Sequence, residues 1–230
     1  MGVDGNDAFP ISPITLIILI SLITPIIPSP PPILINPITP ITMSSNFLTS
    51  KGDYKKLIAF QKAECIYDVT LFFIEHYLPK IGDRTVDQMV QAARSGKQNI
   101  VEGYAAGATS AETELKLFNV AKSSLQELLI DYEDYLRTRG HKRWEEESEQ
   151  AKRAQQLGRA HNDTDFWMNI ISTRDASTIA NIAIILIYQE DYLLYKYLQS
   201  AGKRFINEGG FREKLSRARI QQRSNNSKEG

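Results

Sequence analysis

The sequence predicts an all-α protein, an antiparallel up-down four-helix bundle with an insertion before its fourth helix and a short basic helix at its C-terminus. Three observations predict it. Apolar residues recur every three or four positions over four long stretches, the spacing that lays them along one face of a helix. No stretch alternates with period two for long enough to make a strand. The links between the first three stretches are short and the last is long, which favours antiparallel neighbours with one insertion over a repeat array.

The first helix is expected from Tyr54 to Leu78, with Leu57, Phe60, Tyr67, Leu71, Ile74 and Leu78 as its apolar seam and Ile66, Val69 and Phe73 widening it. Pro79 and Gly82 are expected to stop it, because proline lacks a donor and glycine accepts the chain reversal. The second helix is expected to start near Thr85, where Thr85 and Gln88 have the spacing of a capping box, and to turn Val86, Met89, Val90, Ala93, Ile100, Val101 and Tyr104 inward. In its middle Ala92, Ala93, Ser95 and Gly96 present little side chain, so a neighbouring backbone can approach closely, although Gly96 costs the helix about 1 kcal/mol relative to alanine. Gly103 and Gly107 are read as its end. Thr109 with Glu112 is a second capping-box candidate, opening a third helix through Leu115, Phe118, Leu125, Leu128, Leu129, Tyr132 and Leu136 to Gly140, read as the longest of the four. Residues 145 to 156 are strongly polar and read as a solvated helix or linker, followed by an apolar cluster of Phe166, Trp167 and Ile170. Asp175 then opens the fourth helix through Ile179, Ile182, Leu186, Leu194, Tyr197, Leu198 and Phe205, closed at Gly209 and Gly210. Tyr54, Tyr77, Tyr188, Tyr192 and Tyr195 are expected to be half-buried packing residues with wet hydroxyls.

Residues 1–42 stand apart. Nine of the ten prolines lie in the first 40 residues, among Ile, Leu, Ser and Thr, a low-complexity composition. The longest apolar piece, from Ile14 to Thr24, falls short of the roughly 18 to 20 residues of a membrane span. Asp4 and Asp7 precede it without Lys or Arg, which is not the charge pattern of a secretory signal. Residues 1–42 are therefore expected to be a disordered extension, or sequence upstream of a true start at Met43. The expected organisation is the bundle over 43–208 with an insertion at 141–174, and a basic helix and tail over 209–230.

Composition narrows the function classes. Lys plus Arg and Asp plus Glu are 27 each, so no global field steers the chain to nucleic acid or membrane, and any electrostatic function is local. Cys65 is the single cysteine, which excludes an internal disulfide and a Cys-rich zinc site and suits a reducing, cytoplasmic compartment. It is expected to be a packed small hydrophobe. Di-iron bundles need Glu-x-x-His pairs, and none of His76, His141 and His161 has a glutamate three residues before it. No phosphate-binding, dinucleotide or zincin motif is present. No catalytic, cofactor-binding or metal residues are expected, and the chain is read as non-enzymatic.

Residues 54–137 resemble a four-helix bundle family that includes the intervening-sequence proteins encoded within bacterial large-subunit ribosomal RNA genes and the accessory proteins of diversity-generating retroelements. The resemblance is carried by Tyr54-Lys55-Lys56-Leu57 and Phe60-Gln61-Lys62-Ala63, by Gln91-Ala92-Ala93-Arg94-Ser95 with Asn99-Ile100-Val101-Glu102-Gly103-Tyr104, and by Phe118 through Leu129. The Asn-Ile-x-Glu-Gly element is the most specific of them. Family members commonly have Ile-Pro between the Ser and the Asn, where this chain has Gly96-Lys97-Gln98. The passages Arg84-Thr85-Val86-Asp87-Gln88 and Phe211-Arg212-Glu213 resemble a branch with a suffix after the third helix. The resemblance implies a homo-oligomer, a homopentamer with a basic surface in the retroelement relatives, and no established activity for most members.

Two candidate surfaces follow. Ala92, Ala93, Arg94, Gly96, Asn99, Glu102 and Gly103 are read as helix-packing and assembly residues, with Arg94 pairing with Glu102 or with an acid on a neighbouring copy. Between residues 203 and 229, Lys203, Arg204, Arg212, Lys214, Arg217, Arg219, Arg223 and Lys228 face only Glu208, Glu213 and Glu229, a local net charge of +5. Phe211, Leu215 and Ala218 recur at helical spacing there, so a short amphipathic helix is expected to dock on the bundle with its arginines outward. Arg212, Lys214, Arg217, Arg219 and Arg223 are the expected contacts to RNA or DNA phosphates. The alternative is a protein-binding scaffold, or an accessory subunit of another enzyme such as a nucleic-acid-processing protein, without nucleic-acid contact. No membrane partner is expected.

Overall fold

The computed structural model describes residues 52–78 and 84–226. All of the described residues belong to one compact unit. The expectations for residues 1–42, for a start at Met43, for Pro79 and Gly82 as a helix stop, and for Lys228 and Glu229 lie outside the described residues.

Within them every regular element is helical: a 3-10 turn at Tyr54–Lys56, then α1 (Ile58–Tyr77), α2 (Arg84–Ala106), α3 (Ala111–Thr138), α4 (Glu149–Ala160), α5 (Thr164–Ile171), α6 (Ala176–Glu208) and α7 (Phe211–Asn226). The first helix thus begins four residues later than expected, after a 3-10 turn capped by the Asp53 carboxylate. Side-chain caps mark the starts of α3, α4, α5 and α6. Ser110 accepts from the Thr113 amide, Ser148 from Ala151, Asp163 from Phe166 and Asp175 from Thr178, each contact worth about 1 kcal/mol. The third helix is therefore capped by Ser110, not by Thr109. Thr85 is already helical in α2, so it is not the cap of the expected capping box.

Side-chain contacts set α2 against α3, and α3 against α6, in opposite directions. Along α2 and α3, Ser95 Oγ meets Ser124 Oγ at 2.9 Å, while Gly96 lies against Leu125 and Gly103 against Phe118. Along α3 and α6, Lys122 reaches Asp191, Tyr197 reaches Glu114, and Arg204 reaches Glu114. α1 packs on both α2 and α6, and the Tyr77 hydroxyl at its end donates to the Arg174 carbonyl just before α6. The core is continuous through these four helices, with Ile66, Val69, Phe73, Ile100, Phe118, Leu128, Ile179, Leu186 and Leu194 fully buried.

Several expectations are corrected by what packs on what. On α1 the buried line is Ala59, Lys62, Ile66, Val69 and Phe73, and Leu71 is exposed, because α2, α5 and α6 all cover this helix and displace the seam from its predicted centre. Gly103 does not end α2. It is buried inside it, and the helix runs to Ala106. The polar insertion is not merely solvated, since α4 buries Ala151, Ala154 and Gly158 against α6. α5 buries Trp167 and Ile171 beside α1. At 33 residues α6, not α3 with 28, is the longest helix. Tyr188, Tyr192 and Tyr195 are exposed in mid-helix, not half-buried. Phe205 is also exposed, because α6 continues past Arg204, the residue that meets the first turn of α3.

Gly209 separates α6 from α7. Its φ of 77° and ψ of 171° lie in a region that only glycine occupies at low cost. Among the described residues no helix is long and apolar enough to cross a membrane.

Candidate functional site

The small residues of α2 build a close helix contact within the chain. Ala92, Ala93, Gly96 and Gly103 are buried, and α3 covers them. A β-carbon on Gly96 would lie 2.8 Å from Leu125 Cγ and Cδ2, and one on Gly103 would lie 2.7 Å from Phe118 Cδ2. Phe118 itself stacks on Tyr197 of α6 at 3.9 Å between centroids, so the ring has little room to yield. Asn99 turns its amide back to its own helix, donating to the Ser95 carbonyl at 2.9 Å and the Ser95 hydroxyl at 3.1 Å. Ser95 in turn joins Ser124, so the Asn99 side chain is committed to the α2–α3 contact. Arg94 and Glu102 point away from this contact into solvent and, among the described residues, do not pair with each other. The seven candidates therefore divide into buried positions, Ala92, Ala93, Gly96 and Gly103, the tethered Asn99, and two exposed charges.

No residue of α7 is fully buried, but Phe211, Leu215 and Ala218, the three apolar residues predicted at helical spacing, are half-buried while its arginines are exposed. Part of the positive charge is already engaged. Lys214 Nζ lies 2.7 Å from Glu208, Arg217 lies 3.8 Å from Glu213, and Arg204 lies 3.3 Å from Glu114. Lys214 holds the Glu208 carboxyl below its ordinary value. Arg212 and Arg219 are exposed, with no acidic partner among the described residues, and Arg223 is also exposed. Ile206 and Ile220 flank the turn at 81% and 65% exposure.

The most unusual electrostatics lie elsewhere, at two residues that hydropathy patterns do not flag. Lys62 of α1 is 2% exposed, and its ammonium donates to the carbonyls of Gly158 and His161 at the end of α4. Burial pushes its pKa down, partly opposed by Cys65 and Glu190. Glu190 of α6 is fully buried, and neither carboxylate oxygen has a hydrogen-bond partner among the described residues. Burial raises its pKa well above the ordinary carboxylate value, against the pull of Lys62. Cys65, one turn from Lys62, is buried with its thiol pushed up to about 11 by desolvation, which leaves it a packing residue at neutral pH. A lysine in the middle of Gln61-Lys62-Ala63 has no signature of burial. Only its place on the face shared with Ala59, Ile66 and Phe73 could have raised the question.

Among the described residues no group of three or more His, Cys, Asp or Glu is arranged to hold a metal ion. Comparison with protein-family models, with curated proteins and with solved structures gives no match.

Proposed function

We propose that this chain is a non-enzymatic, homo-oligomeric protein in which α1, α2, α3 and α6 form an antiparallel up-down four-helix bundle, and whose basic C-terminal arm binds RNA or DNA without sequence specificity. The observation that carries this reading is α7 itself. It is a helix with no fully buried residue, and it displays Arg212, Arg219 and Arg223 to solvent. Several arms brought together by assembly concentrate that charge, and phosphate binding through such a surface releases counterions and weakens steeply with salt. The pentamer implied by the family resemblance is one such arrangement. Arg94 and Glu102, exposed on the outer face of α2, are the charges available for contacts between copies.

The experiment is a titration of the full chain against labelled structured RNA and duplex DNA at about 50 and 200 mM salt, with the oligomeric mass read in parallel. Binding that collapses with salt supports the proposal. No binding at low salt refutes its nucleic-acid half.

A second reading has an observation of its own. Ile220 on the arm, and Phe205 and Ile206 at the end of α6 before it, are exposed. Apolar exposure beside a charged helix also suits a protein partner, so a scaffold or an accessory subunit of another enzyme is the alternative.

A further inference from the structure

Three of the exposed large side chains lie together on one face of α6. Tyr188, Tyr192 and Tyr195 are 45%, 58% and 47% exposed in the middle of that helix. With 3.6 residues per turn they fall within about 60° of one another, and Lys196, Gln199 and Lys203 continue the same face towards the Gly209 turn. An apolar side chain exposed singly needs no explanation, whereas three rings within about two turns form a continuous surface.

The rings are held without being covered. The Tyr188 hydroxyl accepts from Arg143 at 2.8 Å, and the Tyr195 hydroxyl accepts from the Gln199 amide at 2.5 Å. Each ring also has a cation beside it. Arg143 lies 5.4 Å from the Tyr188 centroid, Lys196 5.6 Å from that of Tyr192 and Lys122 6.0 Å from that of Tyr195. Arg143 and Lys122 are engaged by Glu133 and Asp191, which neutralises these two acids beside the rings. Lys196 and Lys203 are exposed, with no acidic partner among the described residues. Between Tyr192 and Asn207 α6 carries Lys196, Lys203 and Arg204 and no acid, and Arg204 is engaged by Glu114 of α3. The face therefore passes from aromatic to positive in the direction of the arm.

We propose that this face binds a single strand of RNA or DNA, whose bases stack on Tyr192 and Tyr195 and whose phosphates run past Lys196 and Lys203 towards α7. This binding mode rests on the reading of α7 as a nucleic-acid-binding arm, and it names the form of nucleic acid that is taken. A duplex stacks its bases on one another and gives such rings no free base face, so charge alone would hold it. A single strand gains both contributions. Stacking on an aromatic ring is tolerant of sequence because every base has a π-face, which fits binding without sequence specificity.

The test is fluorescence titration of the full chain, at about 50 mM salt, with a labelled oligothymidine strand and with a duplex of the same length. The strand is expected to bind about tenfold more tightly than the duplex. Tyr192→Ala with Tyr195→Ala should weaken the strand by about tenfold or more, the size of one lost stacking contact, with duplex binding and the melting temperature unchanged. Tyr192→Phe with Tyr195→Phe keeps the rings and should keep the affinity. Photocrosslinking of the unmodified chain to an oligonucleotide carrying 5-iodouracil needs no variant, and should mark the peptide that holds Tyr192 and Tyr195. Equal affinity for strand and duplex, untouched by the alanine pair, overturns the proposal while the arm reading stands, and it leaves the tyrosine face to a protein partner. Crosslinks confined to α7 overturn it in the same way. Binding of neither strand nor duplex refutes the arm reading and this proposal together.

Discussion

Lys62 and Glu190 are opposite charges buried in one core, yet they do not satisfy each other by hydrogen bonding. Lys62 directs its ammonium to the carbonyls of Gly158 and His161, while both oxygens of Glu190 lack a partner among the described residues. The lysine thereby ties α1 to the C-terminal end of α4, and it is also the counter-charge that the glutamate in α6 depends on.

Removing that counter-charge leaves a buried carboxylate uncompensated. Lys62→Met is expected to cost about 3 to 5 kcal/mol at pH 8. The sign of the pH dependence follows from the direction of the shift. An acid whose pKa is raised on folding binds its proton more tightly in the folded state, so folding is penalised as pH rises through that raised value and relieved as pH falls. The loss in Lys62→Met should therefore be smaller at pH 5, nearer the ordinary carboxylate range, than at pH 8. Urea unfolding at the two pH values checks this, and an equal loss at both would mean that Glu190 is not the group left behind. The pair replaced together, Lys62→Met with Glu190→Leu, should be neutral or stabilising by about 1 to 4 kcal/mol relative to the unmodified chain.

The α2–α3 contact gives a second prediction. Gly103→Ala places a β-carbon against Phe118 and 3.1 Å from Leu117 Cβ, neither the far end of a flexible chain. Overpacking of this kind costs about 1 to 3 kcal/mol, against which the better helix propensity of alanine returns roughly 1 kcal/mol. A net loss of stability is expected, and because the clash lies within one chain the shift in melting temperature should not depend on protein concentration. A loss that vanishes at high concentration would instead assign Gly103 to a contact between copies.

How much of this was legible in the sequence depends on how hydropathy samples each helix. In α3 the predicted residues Phe118, Leu125, Leu128, Leu129, Tyr132 and Leu136 are buried and Leu115 is half-buried, because large apolar side chains mark most of the covered face. In α1 the pattern was readable but its centre was not. Three neighbouring helices cover a face so broad that Leu57–Leu71 and Ala59–Phe73 are nearly equivalent seams, and only packing chose the second. The burial of α4 was hidden, since Ala151, Ala154 and Gly158 carry almost no hydropathy between Glu, Lys, Arg and Gln. At the candidate sites the close approach at Gly96 could be read from residue size, whereas for Lys62 only its place on the apolar face of α1 hinted at burial. Polar residues on a core face look like solvated ones until the partner helices are in place.

Glu114 offers a test of coupling between α3 and α6. It is 3% exposed, accepts the Tyr197 hydroxyl at 2.6 Å and also takes Arg204 at 3.3 Å. Burial and the neighbouring Glu114 both raise the Tyr197 pKa, so the phenol remains the donor at neutral pH. Glu114→Ala should cost about 1.5 to 3 kcal/mol, because it removes a hydrogen bond to a charged group, and Tyr197→Phe about 1 kcal/mol. A double-mutant cycle by urea denaturation should give a coupling energy within about 0.5 to 3 kcal/mol. Strict additivity would remove the hydroxyl–carboxylate contact from the account of how the two helices are held.

The arm distinguishes its own cations. Arg217 leans on Glu213 and Lys214 on Glu208, whereas Arg212 and Arg219 have no acidic partner among the described residues. A cation already paired with a carboxylate must give up that interaction to meet a phosphate, so it contributes less to binding than an unpaired one. Arg212→Glu with Arg219→Glu is therefore expected to weaken RNA binding more than Arg217→Glu with Lys214→Glu does. For every phosphate that the variant no longer neutralises, the logarithmic salt dependence should also flatten by about 1. Because the four substituted residues of α7 are all exposed, neither pair of substitutions should move the melting temperature of the body. Fluorescence titrations of both variants across salt, with thermal melts in parallel, read all three quantities. Equal effects from the two pairs would mean that net charge alone governs binding, and an unchanged affinity in both would move the nucleic-acid surface off the arm.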